Sequence, residues 1–145
     1  MFSGLSTLLL SASTTPTPDI VALVATPSND GIANIPGLNG TGVFAVATVN
    51  VGAGGQITVS ADTGGANLPI SISVCQTNPA TGVCLGQLGP TVTTQINALQ
   101  TPTFAIFLQG TGNVAFDPAN NRIVVRFKDG GGVTRGATSV AVRTQ

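Results

Sequence analysis

The side chains of this chain that could do chemistry are few. Five aspartates, four arginines, one lysine and two cysteines are present, and the 145 residues contain no histidine and no glutamate. A Ser-His-Asp triad, a Cys-His dyad, a histidine-ligated zinc site and paired-glutamate chemistry are therefore excluded. The aspartates are far apart in sequence and most lie near Gly, Asn or Pro, where turns use aspartate to bind backbone N–H groups. We expect no enzyme activity, no cofactor and no metal.

The best local set of oxygen ligands is Asp117, Asn120 and Asn121, which makes it a weak calcium candidate. It lacks the dense acidic spacing of a dedicated calcium site. Turn formation is therefore the favoured interpretation of these three residues.

The two cysteines, Cys75 and Cys84, are nine positions apart, and Pro79 and Gly82 between them can turn the chain back. A disulfide is favoured over two free thiols. Closing so short a loop stabilises a fold by roughly 2.5–3 kcal/mol in the chain-entropy model. Because disulfides persist in oxidising compartments, this pairing predicts an extracytoplasmic location in the periplasm, at the cell surface or outside the cell.

Charge is sparse and unevenly distributed. Charged residues make up 7% of the chain and the net charge is zero, but the cations all lie in residues 122–145 and four of the five aspartates precede them. Such asymmetry allows head-to-tail self-association, and so few cations argue against nucleic acid. The pattern places the cations on the outer face of one hairpin, which favours a solvated sheet face over an anion site. These residues, the basic hairpin face, are Arg122, Arg126, Lys128, Arg135 and Arg143.

Residues 1–18 differ in composition from the rest and are predicted to form an N-terminal arm or linker. Their apolar stretch is too short to span a bilayer, and no Lys or Arg precedes it as in a signal peptide. An interaction arm, a frayed terminus and the remnant of a targeting signal all remain open. The apolar residues of the arm are Phe2, Leu5, Leu8, Leu9 and Leu10.

Residues 19–145 are predicted to form a domain built only from strands. Apolar and polar residues alternate with a period of two, and turn signals recur every 8–15 residues. Two strands, Val43–Val51 and Thr103–Gln109, are apolar on both faces, and Val43–Val51 is therefore expected to be central. The others are predicted at Ile20–Ala25, Gly31–Ile35, Gln56–Ala61, Leu68–Cys75, Thr91–Ile96, Arg122–Lys128 and Thr134–Thr144.

The segment Asp117–Arg143 resembles the last hairpin of bacterial immunoglobulin-like domains. In it a strand ends in Asp129, turns through Gly130–Gly132 and returns through alternating Ser/Thr and Val. The resemblance implies an all-β, immunoglobulin-like two-sheet antiparallel β-sandwich with an extended N-terminal arm, and a bacterial surface, adhesive or appendage module. The chain departs from antibody domains, since it has no Trp, no Tyr and no Cys pair at inter-sheet spacing.

These observations together favour a non-enzymatic structural or adhesive module of an extracytoplasmic surface assembly, such as a fibre subunit. Its partners are expected to be proteins, through self-association or within a larger assembly. The alternative is a periplasmic-side accessory subunit of a larger membrane protein complex. A carbohydrate-binding module is a weaker alternative, because sugar-binding platforms usually use Trp or Tyr.

Overall fold

The computed structural model describes residues 16–145, which form nine strands. The predicted arm residues Phe2, Leu5, Leu8, Leu9 and Leu10 lie outside the described residues. Within residues 16–145, no helix is long and apolar enough to cross a membrane. The strands are β1 (Ile20–Ala25), β2 (Ile32–Ile35), β3 (Thr41–Asn50), β4 (Gly55–Asp62), β5 (Ile70–Thr77), β6 (Thr91–Ile96), β7 (Thr103–Gly110), β8 (Arg122–Lys128) and β9 (Thr134–Thr144).

The strands form two sheets, as the alternating pattern predicts. One sheet has four strands in the order β1-β3-β7-β5, and the other has five in the order β2-β9-β8-β4-β6. All neighbours are antiparallel except β2 and β9, which run parallel, with Ile32 opposite Ala141. The predicted two-sheet antiparallel β-sandwich is confirmed, and this parallel pair at the edge of the second sheet is an addition to it. The turn between β1 and β2 carries the chain from one sheet to the other instead of closing a hairpin.

The core lies between the sheets and is filled by the inward side chains of both. Phe104 of β7 and Phe127 of β8 meet edge to face across the interior, with ring centroids 5.9 Å apart. In β8, Ile123, Val125 and Phe127 are fully buried, as the alternation predicts. The other largest fully buried side chains are Phe44, Ile35, Ile57, Ile96, Ile106, Leu108, Val46, Val59 and Val74.

The strand β3 takes the predicted internal position in its sheet, between β1 and β7, and β7, the other strand that is apolar on both faces, is also internal, between β3 and β5. Only one face of β3 packs on the core, however. Phe44 and Val46 are buried, whereas Val43, Ala45 and Ala47 are exposed. The second apolar face of β3 therefore points away from the sandwich, and this leaves an apolar surface on the outside of the four-stranded sheet.

Candidate functional site

The outer face of the four-stranded sheet carries no charge. None of the residues of β1, β3, β5 and β7 is Asp, Glu, Lys or Arg. Leu23 is 70% exposed on this face, where Val21 is 47% and Val43 is 38% exposed. The cations all belong to β8 and β9 of the other sheet. The sandwich therefore has two unlike outer faces, one that carries all the cations and one that carries no charged residue.

A row of small side chains crosses this face. Ala25 of β1 lies opposite Ala45 of β3, Ala45 lies opposite Ala105 of β7, and Ala105 lies opposite Cys75 of β5. Directly opposite residues point to the same side of a sheet. Because their methyl groups are shorter than the neighbouring side chain of Phe107, the row forms a depression.

A groove of about 320 Å³ opens along this row. Its floor is formed by the alanine row together with Val43 and Phe107. Its two ends are formed by the turn after β1 and by the loop between the two cysteines. None of the lining side chains is titratable. We call it the alanine groove and define it by Ala25, Pro27, Val43, Ala45, Gly82, Ala105 and Phe107.

The predicted disulfide is present and shapes one end of the groove. The Sγ atoms of Cys75 and Cys84 are 1.98 Å apart. The chain between the two cysteines turns back on itself, and the backbone N–H of Gly82 donates to the carbonyl of Asn78 at 2.7 Å in this turn. Gly82 has a left-handed φ of 74°, which glycine adopts without strain. The disulfide thus fixes the loop that carries Gly82 against the outer face of the sheet.

Two cations of the basic hairpin face form ion pairs with aspartates. Arg126 Nε donates to Asp62 at 2.8 Å, and Arg135 Nε donates to Asp129 at 2.7 Å. The Arg126 hydrogen bond holds the pKa of Asp62 below its usual range, with smaller contributions from the backbone N–H of Gly64 and from the charges of Arg126 and Lys128. The Arg135 hydrogen bond lowers the pKa of Asp129 in the same way.

Arg122 and Arg143 are held by neutral partners. Arg122 Nε donates to the hydroxyl of Ser139 at 3.1 Å. Arg143 Nε donates to Asn34 Oδ1 at 2.7 Å, and its guanidinium lies 5.2 Å from the centre of the Phe116 ring. These contacts favour the interpretation of the basic hairpin face as an ordinary outer sheet face.

The weak calcium candidate is a hydrogen-bonded turn. The backbone N–H groups of Asn120 and Asn121 both donate to the carbonyl of Asp117, at 3.1 and 2.7 Å. Asn120 Nδ2 donates to the Asp117 carboxylate at 2.9 Å, and Asn121 Nδ2 donates to the Ala115 carbonyl at 3.0 Å. Among residues 16–145, no three His, Cys, Asp or Glu side chains group together as a metal site would require.

Sequence reasoning missed the alanine groove. The alternating alanines Ala45 and Ala47 were visible as part of an apolar strand, but their cross-strand neighbours lie far away in the chain. The pairing of β3 with β7 joins residues about sixty positions apart, such as Ala45 and Ala105. No local pattern encodes that pairing.

Comparisons with known proteins give only distant structural similarity. No family model and no curated protein matches the chain. A family 123 glycoside hydrolase from Clostridium perfringens is similar with a TM-score of 0.49 and 10% identity over 87% of this chain and 27% of that chain. A DUF4466 family protein from Parabacteroides merdae has a TM-score of 0.39 and 13% identity over 87% of this chain and 44% of that chain. The chain thus spans less than half the length of either protein.

Proposed function

We propose that this chain is a non-enzymatic structural or adhesive module that binds protein surfaces, its own copies included, in an extracytoplasmic assembly such as a fibre. The observation that carries this proposal is the outer face of the four-stranded sheet, which is uncharged throughout and apolar along β1 and the middle of β3. Covering such a face removes apolar surface from water, which is favourable. No charged side chain of the four strands has to be desolvated in the process, so the usual penalty for burying ions does not arise.

The strand order supports an immunoglobulin-like module. Constant-type immunoglobulin domains place seven strands, lettered A to G, in the sheets A-B-E-D and C-F-G. In chain order, β1, β3, β4, β5, β7, β8 and β9 take these seven positions, in the sheets β1-β3-β7-β5 and β4-β8-β9. The strands β2 and β6 extend the two edges of the second sheet. Many cell-surface domains use this architecture, although a fold alone does not assign a function.

The disulfide supports the extracytoplasmic part of the proposal. Reducing agents in the cytosol keep thiols unpaired, whereas a bond such as Cys75–Cys84 persists in the periplasm, at the cell surface or outside the cell.

The engagement of the aspartates supports a non-enzymatic role. Asp62 and Asp129 are paired with arginines, and the Asp117 carboxylate accepts from Asn120. Asp30 Oδ1 accepts from the backbone N–H of Ile32 at 3.0 Å, within the turn after β1. General acid–base catalysis needs a titratable group within reach of a substrate, and the alanine groove has none among its lining residues.

The proposal is tested by placing a charge on the uncharged face of the full chain. Leu23→Asp changes a leucine that is 70% exposed on the face, and Leu99→Asp changes one that is 75% exposed in the turn before β7. Size-exclusion chromatography with light scattering, over a range of concentrations, is expected to show assembly of the unchanged chain and of Leu99→Asp but not of Leu23→Asp. A full chain that stays monomeric throughout, or a Leu23→Asp chain that assembles normally, would contradict the proposal.

A further inference from the structure

We infer that Asn39 is a site of spontaneous modification, at which the chain deamidates through a cyclic imide formed with Gly40. Asn39 is the one asparagine of the sequence that a glycine follows. It is exposed in the turn before β3, and its backbone carbonyl, not its side-chain amide, makes the hydrogen bond that the structure gives it. Within residues 16–145, the backbone N–H of Gly40 donates to no carbonyl. Both reacting groups are therefore accessible to each other.

The fold itself requires the glycine that makes Asn39 reactive. A Cβ atom at Gly40 would overlap the carbonyl oxygen of Pro36. A residue with a side chain therefore does not fit here unless the backbone moves. Because a side chain at this position would also crowd the approach of the backbone nitrogen to the Asn39 amide, the close contact with Pro36 keeps the reactive pair intact.

The reaction takes up water and releases ammonia. The backbone nitrogen of Gly40 bonds to Cγ of Asn39, the Cγ–Nδ2 bond breaks, and the proton of the Gly40 N–H leaves with Nδ2 as ammonia. Water then opens the imide at either of its two carbonyl carbons. Opening at Cγ gives an aspartate at position 39. Opening at the main-chain carbonyl carbon gives an isoaspartate, in which the main chain runs through Cβ and Cγ.

Both products carry a negative charge, and they place it at one end of the outer face of the four-stranded sheet. Gln109 of β7 connects Asn39 to this face, because its Nε2 donates to the Asn39 carbonyl at 2.7 Å and its Oε1 accepts from the Thr41 hydroxyl at 2.9 Å. Thr41 lies opposite Gln109 and is exposed on the same side of β3 as Val43. The four strands of this sheet carry no charged residue.

Deamidation is therefore expected to weaken contacts made through this face. This step rests on the proposed function, because it gives a regulation of the same surface. A carboxylate at the end of the face would lose hydration when a partner covers it. The isoaspartate also lengthens the main chain between the carbonyls of Asn39 and Gly40, which accept from Gln109 Nε2 and from the N–H of Gly110, and this disturbs the connection of the turn to β7.

Peptide mapping of the aged full chain tests the inference. The folded protein is incubated at mildly alkaline pH, denatured and digested with an endoproteinase that cleaves before aspartate, which releases residues 30–61. This peptide also contains Asn34 and Asn50 as internal controls. An aspartate at position 39 creates a new cleavage site and an isoaspartate does not, so mass spectrometry identifies and quantifies both products.

Deamidation at Asn39 is expected to exceed that at Asn34 or Asn50 at least about ten-fold, because the residues that follow the two controls, Ile35 and Val51, are β-branched and crowd the backbone nitrogen. Equal extents at the three asparagines would overturn the inference. An unmodified Asn39 after prolonged incubation would overturn it as well.

Sedimentation velocity of the same aged samples measures the effect on assembly. Asn39→Gln, aged in parallel, is the matched control, because glutamine keeps a neutral amide but would have to close a larger ring. The aged unchanged chain is expected to associate several-fold more weakly than aged Asn39→Gln. Equal association of the two, with Asn39 modified, would overturn the regulatory effect. Leu23→Asp, measured on fresh protein, decides the proposed function separately.

Discussion

Asn50 shows how much one buried polar residue can organise. Its side chain is fully buried and uses its whole hydrogen-bonding capacity. Oδ1 accepts from the N–H groups of Asp19 at 3.1 Å and Gly52 at 3.0 Å, and Nδ2 donates to the carbonyls of Ala53 at 2.8 Å and Ile96 at 3.1 Å. Asn50 thereby joins the start of β1, the turn after β3 and the end of β6. The sequence did not predict this role, because Asn50 lies within the predicted strand Val43–Val51 and its partner Ile96 is 46 residues away in the chain.

The isosteric change Asn50→Asp is expected to lower the free energy of unfolding by about 2–4 kcal/mol at neutral pH. A carboxylate cannot donate to the carbonyls of Ala53 and Ile96, and it would place a buried negative charge against them. Urea unfolding measures the difference. Asn39→Asp, at an exposed position before β3, is the matched control, and equal unfolding free energies for the two variants would contradict the assigned role of Asn50.

The ion pairs of Asp62 and Asp129 predict the dependence of stability on pH. Their folded-state pKa values lie below those of the unfolded chain, so the pairs stabilise the fold above the unfolded pKa of about 3.9, and this is lost as the pH falls through the folded pKa. The sequence contains no histidine, which is the side chain whose unperturbed pKa lies between about pH 5 and 8. The Tm is therefore expected to be constant over that interval and to fall below about pH 4.

The double variant Asp62→Asn, Asp129→Asn serves as the control for this pH profile. It removes both paired carboxylates and is expected to show a smaller fall in Tm between about pH 5 and pH 3, because its unfolded state takes up fewer protons there than that of the unchanged chain. The same fall in both proteins would show that the ion pairs do not govern acid sensitivity.

At the scale of elements, the alternation of apolar and polar residues and the turn residues predicted the strands and hairpins that form between neighbouring segments of the chain. The hairpin strands Arg122–Lys128 and Thr134–Thr144 have the predicted bounds, because the turn through Asp129 and three glycines joins them directly. The local pattern did not predict which strands pair within each sheet, or which face of an apolar strand packs on the core. Val43 and Phe44 are both apolar, so only the packed structure shows that Phe44 faces the core and Val43 faces outward.

The disulfide between Cys75 and Cys84 is expected to protect both thiols from alkylation and to stabilise the fold. Intact mass is expected to show no alkylation of the native chain and two alkylated thiols, at Cys75 and Cys84, after reduction under denaturing conditions. Reduction is expected to lower the free energy of unfolding by roughly 2.5–3 kcal/mol, since the bond closes a short loop. A Cys75→Ala, Cys84→Ala chain, unfolded with and without reductant, is the control. Two reactive thiols in the unreduced native protein would contradict the pairing.

At the scale of the whole molecule, charge and apolar surface are separated onto opposite faces. The five-stranded sheet carries all the cations, two of them paired with aspartates, and the four-stranded sheet carries no charged residue. Because Arg126 and Arg135 already form ion pairs with aspartates of the same molecule, they contribute less to the head-to-tail attraction between copies that the uneven charge of the sequence allows. The apolar face is then the surface whose burial in a contact between molecules would be most favourable. A net charge of zero adds little electrostatic repulsion between copies.

Salt dependence separates these two modes of association. Contact through the uncharged face is expected to be unchanged or stronger when NaCl is raised from about 0.1 to about 1 M, although the Debye length falls from about 10 to about 3 Å. Ammonium sulfate is expected to strengthen it, because excluded salts favour apolar burial. Sedimentation velocity of the full chain measures the effect, with Lys128→Gln as a control that removes a cation from the other sheet and is expected to associate normally. Association that weakens steadily with NaCl, or that Lys128→Gln abolishes, would assign the contact to the charged sheet instead.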